Sequence, residues 1–247
     1  MGDTSLVLTE TIHNGIRLLR DEEALGEGVL VAFADREGGT SKAPYDSLNL
    51  AARVGDDLAD VDENRTRVAA AAGFDVGALV LARQVHGKDV LSAGPEDSGV
   101  IGEADVLVSR VPGRVIGILT ADCVPVVLHT NGAVAVAHAG WRGLVSGAIE
   151  AAIAELGSVT KAWVGPSIHA CCYEVGPEVV DAFRRAGLPV ASDDHVDPGR
   201  AAVVALHNAG VADVEATTEC TSCDARYFSY RRDRVTGRQG AFTGLLA

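Results

Sequence analysis

The feature that most constrains this chain is a succession of short apolar runs near its middle. Residues 104–109, 114–119, 125–128 and 133–137 read as strands, and the last of these runs are apolar at nearly every position. A strand with one wet face alternates polar and apolar residues, whereas a continuous run needs apolar cover on both faces. Helical segments are available to supply that cover. Residues 60–72 have Asp62 and Glu63 early, an alanine-rich end and Gly73 as a stop. Residues 146–156 read as a helix begun near Trp141, residues 176–186 as one with Pro177 at its start, and residues 200–209 as one ended by Gly210. Residues 29–34, 78–82, 162–164 and 214–217 read as further strands, and the first thirty residues show no clear pattern. Repeats and low-complexity linkers are absent. The pattern predicts one α/β domain over residues 1–247, with mixed sheets inside and helices outside.

At 247 residues, 47% of them hydrophobic, such a chain buries about 70% of its unfolded surface and needs no disulfide staples. Its five cysteines, Cys123, Cys171, Cys172, Cys220 and Cys223, are odd in number and absent before Cys123. That is no secreted disulfide framework. Residues 1–4 show no basic region leading to an apolar core. The most apolar stretch, residues 111–128, contains Pro112, Arg114, Asp122 and Pro125 and is no membrane helix. A cytoplasmic protein is expected. Lys and Arg number 21 against 34 Asp and Glu, a net charge of −13. The densest basic segment, residues 226–238, is broken by Asp233 and by aromatics. A nucleic-acid binder needs a cationic footprint, so that class is set aside. Nothing in the sequence identifies a protein partner.

Polar residues at the ends of apolar strands are where α/β folds place their chemistry. Three segments qualify: Gln84-Val85-His86-Gly87, Thr120-Ala121-Asp122-Cys123-Val124-Pro125 and His138-Ala139-Gly140-Trp141-Arg142-Gly143. His86, Cys123 and His138 make two imidazoles and a thiolate, a set that suits zinc with a fourth position left open. Their spacings, 37 and 15 residues, match no local metal signature. The same residues also read as a small buried cysteine and two hydrogen-bonded core histidines. In the third segment, glycines permit close backbone approach, a helix start offers N–H groups to an anion, and Arg142 adds a fork for phosphate or carboxylate. The segment also reads as a tight turn with Trp141 packed in the core. Glu174 is a general-base candidate or a helix-start charge. The adjacent Cys171 and Cys172 cannot readily pair with each other. Cys220-Thr221-Ser222-Cys223 is similar to half of a redox or zinc-ribbon site, lacks a second such pair, and is read as structural.

Taken in order, these motifs resemble one known family. Gly38-Gly39-Thr40-Ser41, Pro44-Tyr45-Asp46-Ser47-Leu48-Asn49-Leu50, Val54-Gly55-Asp56-Asp57, the three segments above, Gly165-Pro166 through Cys171-Cys172-Tyr173-Glu174-Val175, and Phe228-Ser229-Tyr230-Arg231-Arg232 all match. The chain resembles the YfiH-like proteins, also called polyphenol-oxidoreductase laccase-domain proteins or peptidoglycan editing factors. The resemblance covers residues 29–239. It implies a four-layer sandwich of mixed sheets flanked by helices, and a catalytic zinc on His86, Cys123 and His138. It also implies phosphorolysis of adenosine, inosine, guanosine and methylthioadenosine, and deamination of adenosine. Nucleoside and phosphate are then the small-molecule partners.

On that reading Asp122 and Glu174 are the acid/base candidates. Arg142 and Arg53 are candidates for phosphate, Ser47 and Asn49 for ribose or base, and Gln84 completes the substrate-binding set. Ser47 and Asn49 also read as turn stabilisers. Arg53 stands where the family often has histidine, which puts substrate preference in doubt. The laccase name sits poorly with the sequence. Multicopper oxidases use many histidines, often as His-x-His, and none of the seven here is so spaced. Copper still suits the zinc ligands, which it binds more tightly. Three alternatives stay open: an amidase acting on muramyl-peptide amides, either zinc-dependent or with Cys123 as nucleophile and His138 as base, a copper-dependent polyphenol oxidase, and a non-enzymatic metal-binding module.

Overall fold

The computed structural model describes residues 8–247. Residues 1–4, in which no leader was read, lie outside that range. Along the chain come β1 (Leu8–His13), β2 (Ile16–Asp21), α1 (Glu22–Gly26), β3 (Val29–Ala34) and α2 (Leu58–Ala72). The middle holds β4 (Leu79–Arg83), β5 (Val90–Ala93), β6 (Gly99–Glu103), β7 (Val106–Ser109), β8 (Val115–Thr120), β9 (Val124–Thr130) and β10 (Ala133–Ala139). Then follow α3 (Trp141–Ser146), α4 (Ala148–Leu156), β11 (Lys161–Val164), α5 (Pro177–Arg185), α6 (Pro198–Asn208), β12 (Val214–Ala216), α7 (Tyr230–Asp233) and β13 (Gln239–Leu245).

Two mixed sheets result. Seven strands run in the order β1-β2-β3-β13-β8-β4-β6, and six in the order β12-β11-β9-β10-β7-β5. The continuous apolar runs now have a physical reason. On β9, Val126 and Leu128 face the helices while Val127 faces the other sheet, and β10 divides Ala135 and Ala137 from Val134 and Val136 in the same way. Between the sheets, Val31, Phe33, Ile116 and Ile118 meet Val127, Val136 and Trp163. Outside the six-stranded sheet, Ile149 of α4, Phe183 of α5 and Leu206 of α6 complete a second core. Outside the seven-stranded sheet, Val68 and Ala72 of α2 pack with Leu18, Leu30 and Phe242. The layers are therefore helix, sheet, sheet, helix. Asp21 links the sheets, because one carboxylate oxygen accepts Trp163 Nε1–H at 2.8 Å and Lys161 Nζ–H at 3.0 Å.

The structure corrects several expectations. The helix expected over residues 146–156 from Trp141 is two helices, parted at Gly147, whose φ of 90° no other residue adopts without strain. The helix α6 begins two residues earlier than expected, because the Asp197 side chain caps it by accepting from Arg200 N–H at 2.9 Å. The unread first thirty residues hold β1, β2 and α1, and β5, β6, α7 and β13 were likewise not anticipated. No helix among the described residues is long and apolar enough to cross a membrane.

Candidate metal centre and cleft

The strand ends converge on one cleft of about 640 Å³. Its lining includes His86 beyond β4, Asp122 and Cys123 between β8 and β9, His138 on β10, and Trp141 and Arg142 at the start of α3. The donor atoms of His86, Cys123 and His138 all lie within 4.8 Å of one another. The two imidazoles meet edge to face, with ring centroids 4.9 Å apart. Tetrahedral zinc, at about 2.1 Å from nitrogen and 2.3 Å from sulfur, sets N and S about 3.6 Å apart, so the donors fit. Gly140 makes room for the cluster. A Cβ there would stand 3.0 Å from Cys123 Sγ and 3.2 Å from His86 Cδ2.

Asp105 organises the centre. It immediately precedes β7, whose pairing with β10 sets Val106 opposite Ala137 and hence Asp105 beside His138. The His138 N–H donates to the Asp105 carbonyl at 2.7 Å, and His138 Nδ1–H donates to Asp105 Oδ1 at 2.7 Å. That bond fixes the ring and leaves Nε2 as the free donor atom. The same carboxylate accepts the backbone N–H groups of Val85, His86 and Gly87 at 3.1, 2.9 and 2.7 Å. It thereby holds His86 in a left-handed conformation, φ 61°. Burial opposes ionisation of Asp105, but the bond and charge of His138 and the N–H groups of Gly87 and Val85 outweigh it and bring the pKa to about 2. In the metal-free protein, burial is likewise outweighed at Cys123. His138 and His86 lower its thiol to about 6, while the thiolate and Asp105 raise His138 to about 9.

The anticipated residues separate into three groups. Arg53, Gln84, Asp122 and Arg142 line the cleft with His86, Cys123 and His138. Two of these four are committed to hydrogen bonds within the protein. Gln84 exchanges hydrogen bonds with both the N–H and carbonyl of Leu119, each at 2.8 Å. Asp122 accepts Thr221 Oγ1–H at 2.7 Å and Arg231 N–H at 2.6 Å. Ser47, Asn49 and Glu174 stand outside the cleft lining. Ser47 closes a turn between Gly39 N–H and the Arg36 carbonyl. Fully buried Asn49 bonds Ala51, Asp56 and Arg238. Exposed Glu174 pairs its backbone with that of His195. The cysteines Cys171, Cys172, Cys220 and Cys223, read as lacking a second pair, come together in space.

Sequence reasoning missed Asp105, although it interrupts an apolar strand as the recognised segments do. It also missed most of the cleft's arginines. Arg53, Arg65, Arg142, Arg231, Arg234 and Arg238 line it, and none has an ion pair with a carboxylate among the described residues. Burial pushes the Arg65 and Arg238 guanidiniums below their ordinary range. Arg142 stacks on Trp141 at 4.3 Å and Arg231 on Tyr173 at 4.9 Å.

Residues 30–246 match the family model described as multi-copper polyphenol oxidoreductase laccase. The chain belongs to this family. Among relatives of the laccase family, the purine nucleoside phosphorylase YfiH of Escherichia coli K12 is 40% identical over 233 residues, 89% of this chain and 95% of its own length. A purine nucleoside phosphorylase of Pseudomonas aeruginosa is 42% identical over 225 residues, 85% of this chain and 90% of its own. The crystal structure of YlmD from Geobacillus stearothermophilus, 31% identical, superposes with a TM-score of 0.88 over 98% of this chain and 100% of that one. YfiH from Bacillus licheniformis, 30% identical, gives 0.82 over 94% and 97%. The multi-copper label finds little support in the geometry. Of the seven histidines, only His86 and His138 enter a group able to hold a metal among the described residues.

Proposed function

We propose that this chain is a purine nucleoside phosphorylase that also deaminates adenosine, with a zinc ion held by His86, Cys123 and His138. The observation that carries the reading is one cleft that combines this donor set with arginines lacking carboxylate partners. A nucleoside and a phosphate dianion suit it: the volume accommodates a ligand of that size, and guanidinium forks bind phosphate. The relatives named purine nucleoside phosphorylase support the same substrate class, taken here as adenosine, inosine, guanosine and methylthioadenosine. Bound zinc supplies a Lewis acid beside the substrate, and copper would take the same donors.

The chain's own residues then bind and orient. Arg142 and Arg231 are assigned to phosphate, with Arg53 and Arg238 flanking. In phosphorolysis a phosphate oxygen bonds to C1′ as the bond from C1′ to N9 breaks, and the electron pair leaves with the purine. Trp141 and Tyr173, each backed by an arginine, are offered as apolar faces for the base. In deamination the oxygen of water bonds to C6 of adenine and ammonia departs. Asp105 keeps the His138 Nδ1 proton in place throughout. The test is chromatography of products from adenosine with phosphate. Wild-type zinc protein yields adenine with ribose 1-phosphate, and inosine, while Cys123→Ala yields neither and loses one equivalent of zinc, that of this centre. A zinc-loaded wild type that forms no product refutes the reading.

One observation favours a second reading. Metal-free, Cys123, His138 and Asp105 form a thiolate, an imidazolium and an orienting carboxylate, the arrangement of a cysteine amidase. Hydrolysis of a muramyl-peptide amide by metal-free protein, suppressed by added zinc, is the result that supports it.

A further inference from the structure

A second cluster of metal-type ligands lies outside the cleft lining. The sulfurs of Cys171, Cys172, Cys220 and Cys223 all lie within 4.8 Å of one another. Cys223 Sγ is 3.0 Å from Cys172 Sγ and 3.4 Å from Cys171 Sγ. A disulfide needs about 2.05 Å and joins sulfurs strictly in pairs. Four thiolates about 2.3 Å from one zinc ion stand about 3.8 Å apart, wider than the two Cys223 separations and inside the 4.8 Å that spans all four sulfurs.

The local backbone suits a metal knuckle. Residues 220–223 form a tight turn, in which the N–H groups of Cys223 and Asp224 donate to the Cys220 carbonyl at 3.1 and 2.9 Å. The His169 N–H donates to Cys220 Sγ at 3.4 Å, and the N–H groups of Ser222 and Cys223 also face that sulfur.

We infer that Cys171, Cys172, Cys220 and Cys223 form a second zinc site, structural rather than catalytic. Four protein thiolates close the coordination shell and leave no position for substrate. Its role follows from what the two loops carry. Cys172 precedes Tyr173 of the cleft lining, and Cys220 precedes Thr221, whose hydroxyl donates to Asp122. Arg232 Nη1 also donates to the Thr221 carbonyl at 3.0 Å. One ion therefore clips together two loops 51 residues apart, one leading into Tyr173 of the cleft lining and the other bracing Asp122 of that lining. Such a site stands whatever reaction the cleft performs.

The experiment is zinc stoichiometry on full-length protein, reduced, loaded with zinc and desalted. Wild type is expected to retain two equivalents, Cys123→Ala one, and Cys223→Ser one. Cys223 is exposed, so this variant is chosen over the buried Cys220 to preserve folding. Cobalt loaded into Cys123→Ala, which keeps all four thiols, is expected to give the strong thiolate-to-cobalt charge-transfer absorption of a tetrathiolate site. Zinc is also expected to protect the four thiols from alkylation. A zinc-free Cys123→Ala protein overturns the inference. So does recovery of a disulfide between Cys223 and Cys171 or Cys172 from zinc-loaded protein never exposed to oxidant.

Discussion

Replacing Asp105 by Asn tests how the candidate centre is held together. The side chain is fully buried, and each oxygen accepts two hydrogen bonds. Asparagine keeps one oxygen and turns an NH₂ group toward the donors of the other. With the oxygen kept on His86 N–H and His138 Nδ1–H, the N–H groups of Val85 and Gly87 lose their acceptor. Both are partly buried, so each loss costs about 1–2 kcal/mol, together about 2–4 kcal/mol. An independent route gives a similar figure. A buried carboxyl lowered from 3.8 to about 2 contributes about 2–3 kcal/mol to the metal-free protein at neutral pH. Because the folded value lies below the unfolded one, that stability is complete above about pH 4 and lost as pH falls through about 2. Urea denaturation of metal-free wild type and Asp105→Asn at neutral pH measures the difference. A parallel zinc competition assay is expected to show about 10–100-fold weaker binding, since His138 loses its orienting partner. A variant within about 0.5 kcal/mol of wild type, with unchanged zinc affinity, would refute the role assigned to Asp105.

Three further outcomes are expected. In metal-free protein the alkylation rate of Cys123 follows a thiolate titrating near pH 6, not the ordinary 9.0, as measured with iodoacetamide across pH by mass spectrometry of the Cys123 peptide. Gly140→Ala places a methyl against Cys123 Sγ and His86 Cδ2 and weakens zinc binding about tenfold or more in a chelator competition assay. If the cleft takes phosphate as proposed, Arg142→Ala raises KM for phosphate about tenfold or more in steady-state phosphorolysis, the cost of one charge-assisted hydrogen bond; an unchanged KM removes Arg142 from the phosphate site.

Where a residue's surroundings are set by its own strand, the sequence was readable. The buried strands β8, β9 and β10 announce themselves because apolar cover on both faces demands continuous apolar runs. His86, Cys123 and His138 could be singled out because each ends such a strand. Asp105 was passed over because its meaning depends on the β7–β10 register, which places it beside His138 across 33 residues. Arg231, Arg234 and Arg238 reach the cleft only through tertiary folding of a segment with no periodic signal. Glu174 shows the converse. It read either as a general base or as a helix-start charge, and the structure leaves it exposed while the neighbouring Tyr173 lines the cleft. Cys171 and Cys172, adjacent in sequence, looked unlike half of a metal site until the 220–223 turn was seen beside them.

The position of β13 bears on the order in which the molecule is built. That strand lies between β3 and β8, so during vectorial synthesis the seven-stranded sheet exists as two unjoined portions until residues 239–245 emerge. The six-stranded sheet, whose strands end at Ala216, is free to pair before then. Cys123 and Gln84 flank the half that awaits β13, and Arg238 adjoins β13 itself. Ribosome-bound chains truncated before residue 239 are thus expected to expose the unpaired edges of β3 and β8, a state in which long-range pairing is delayed and association between chains is favoured.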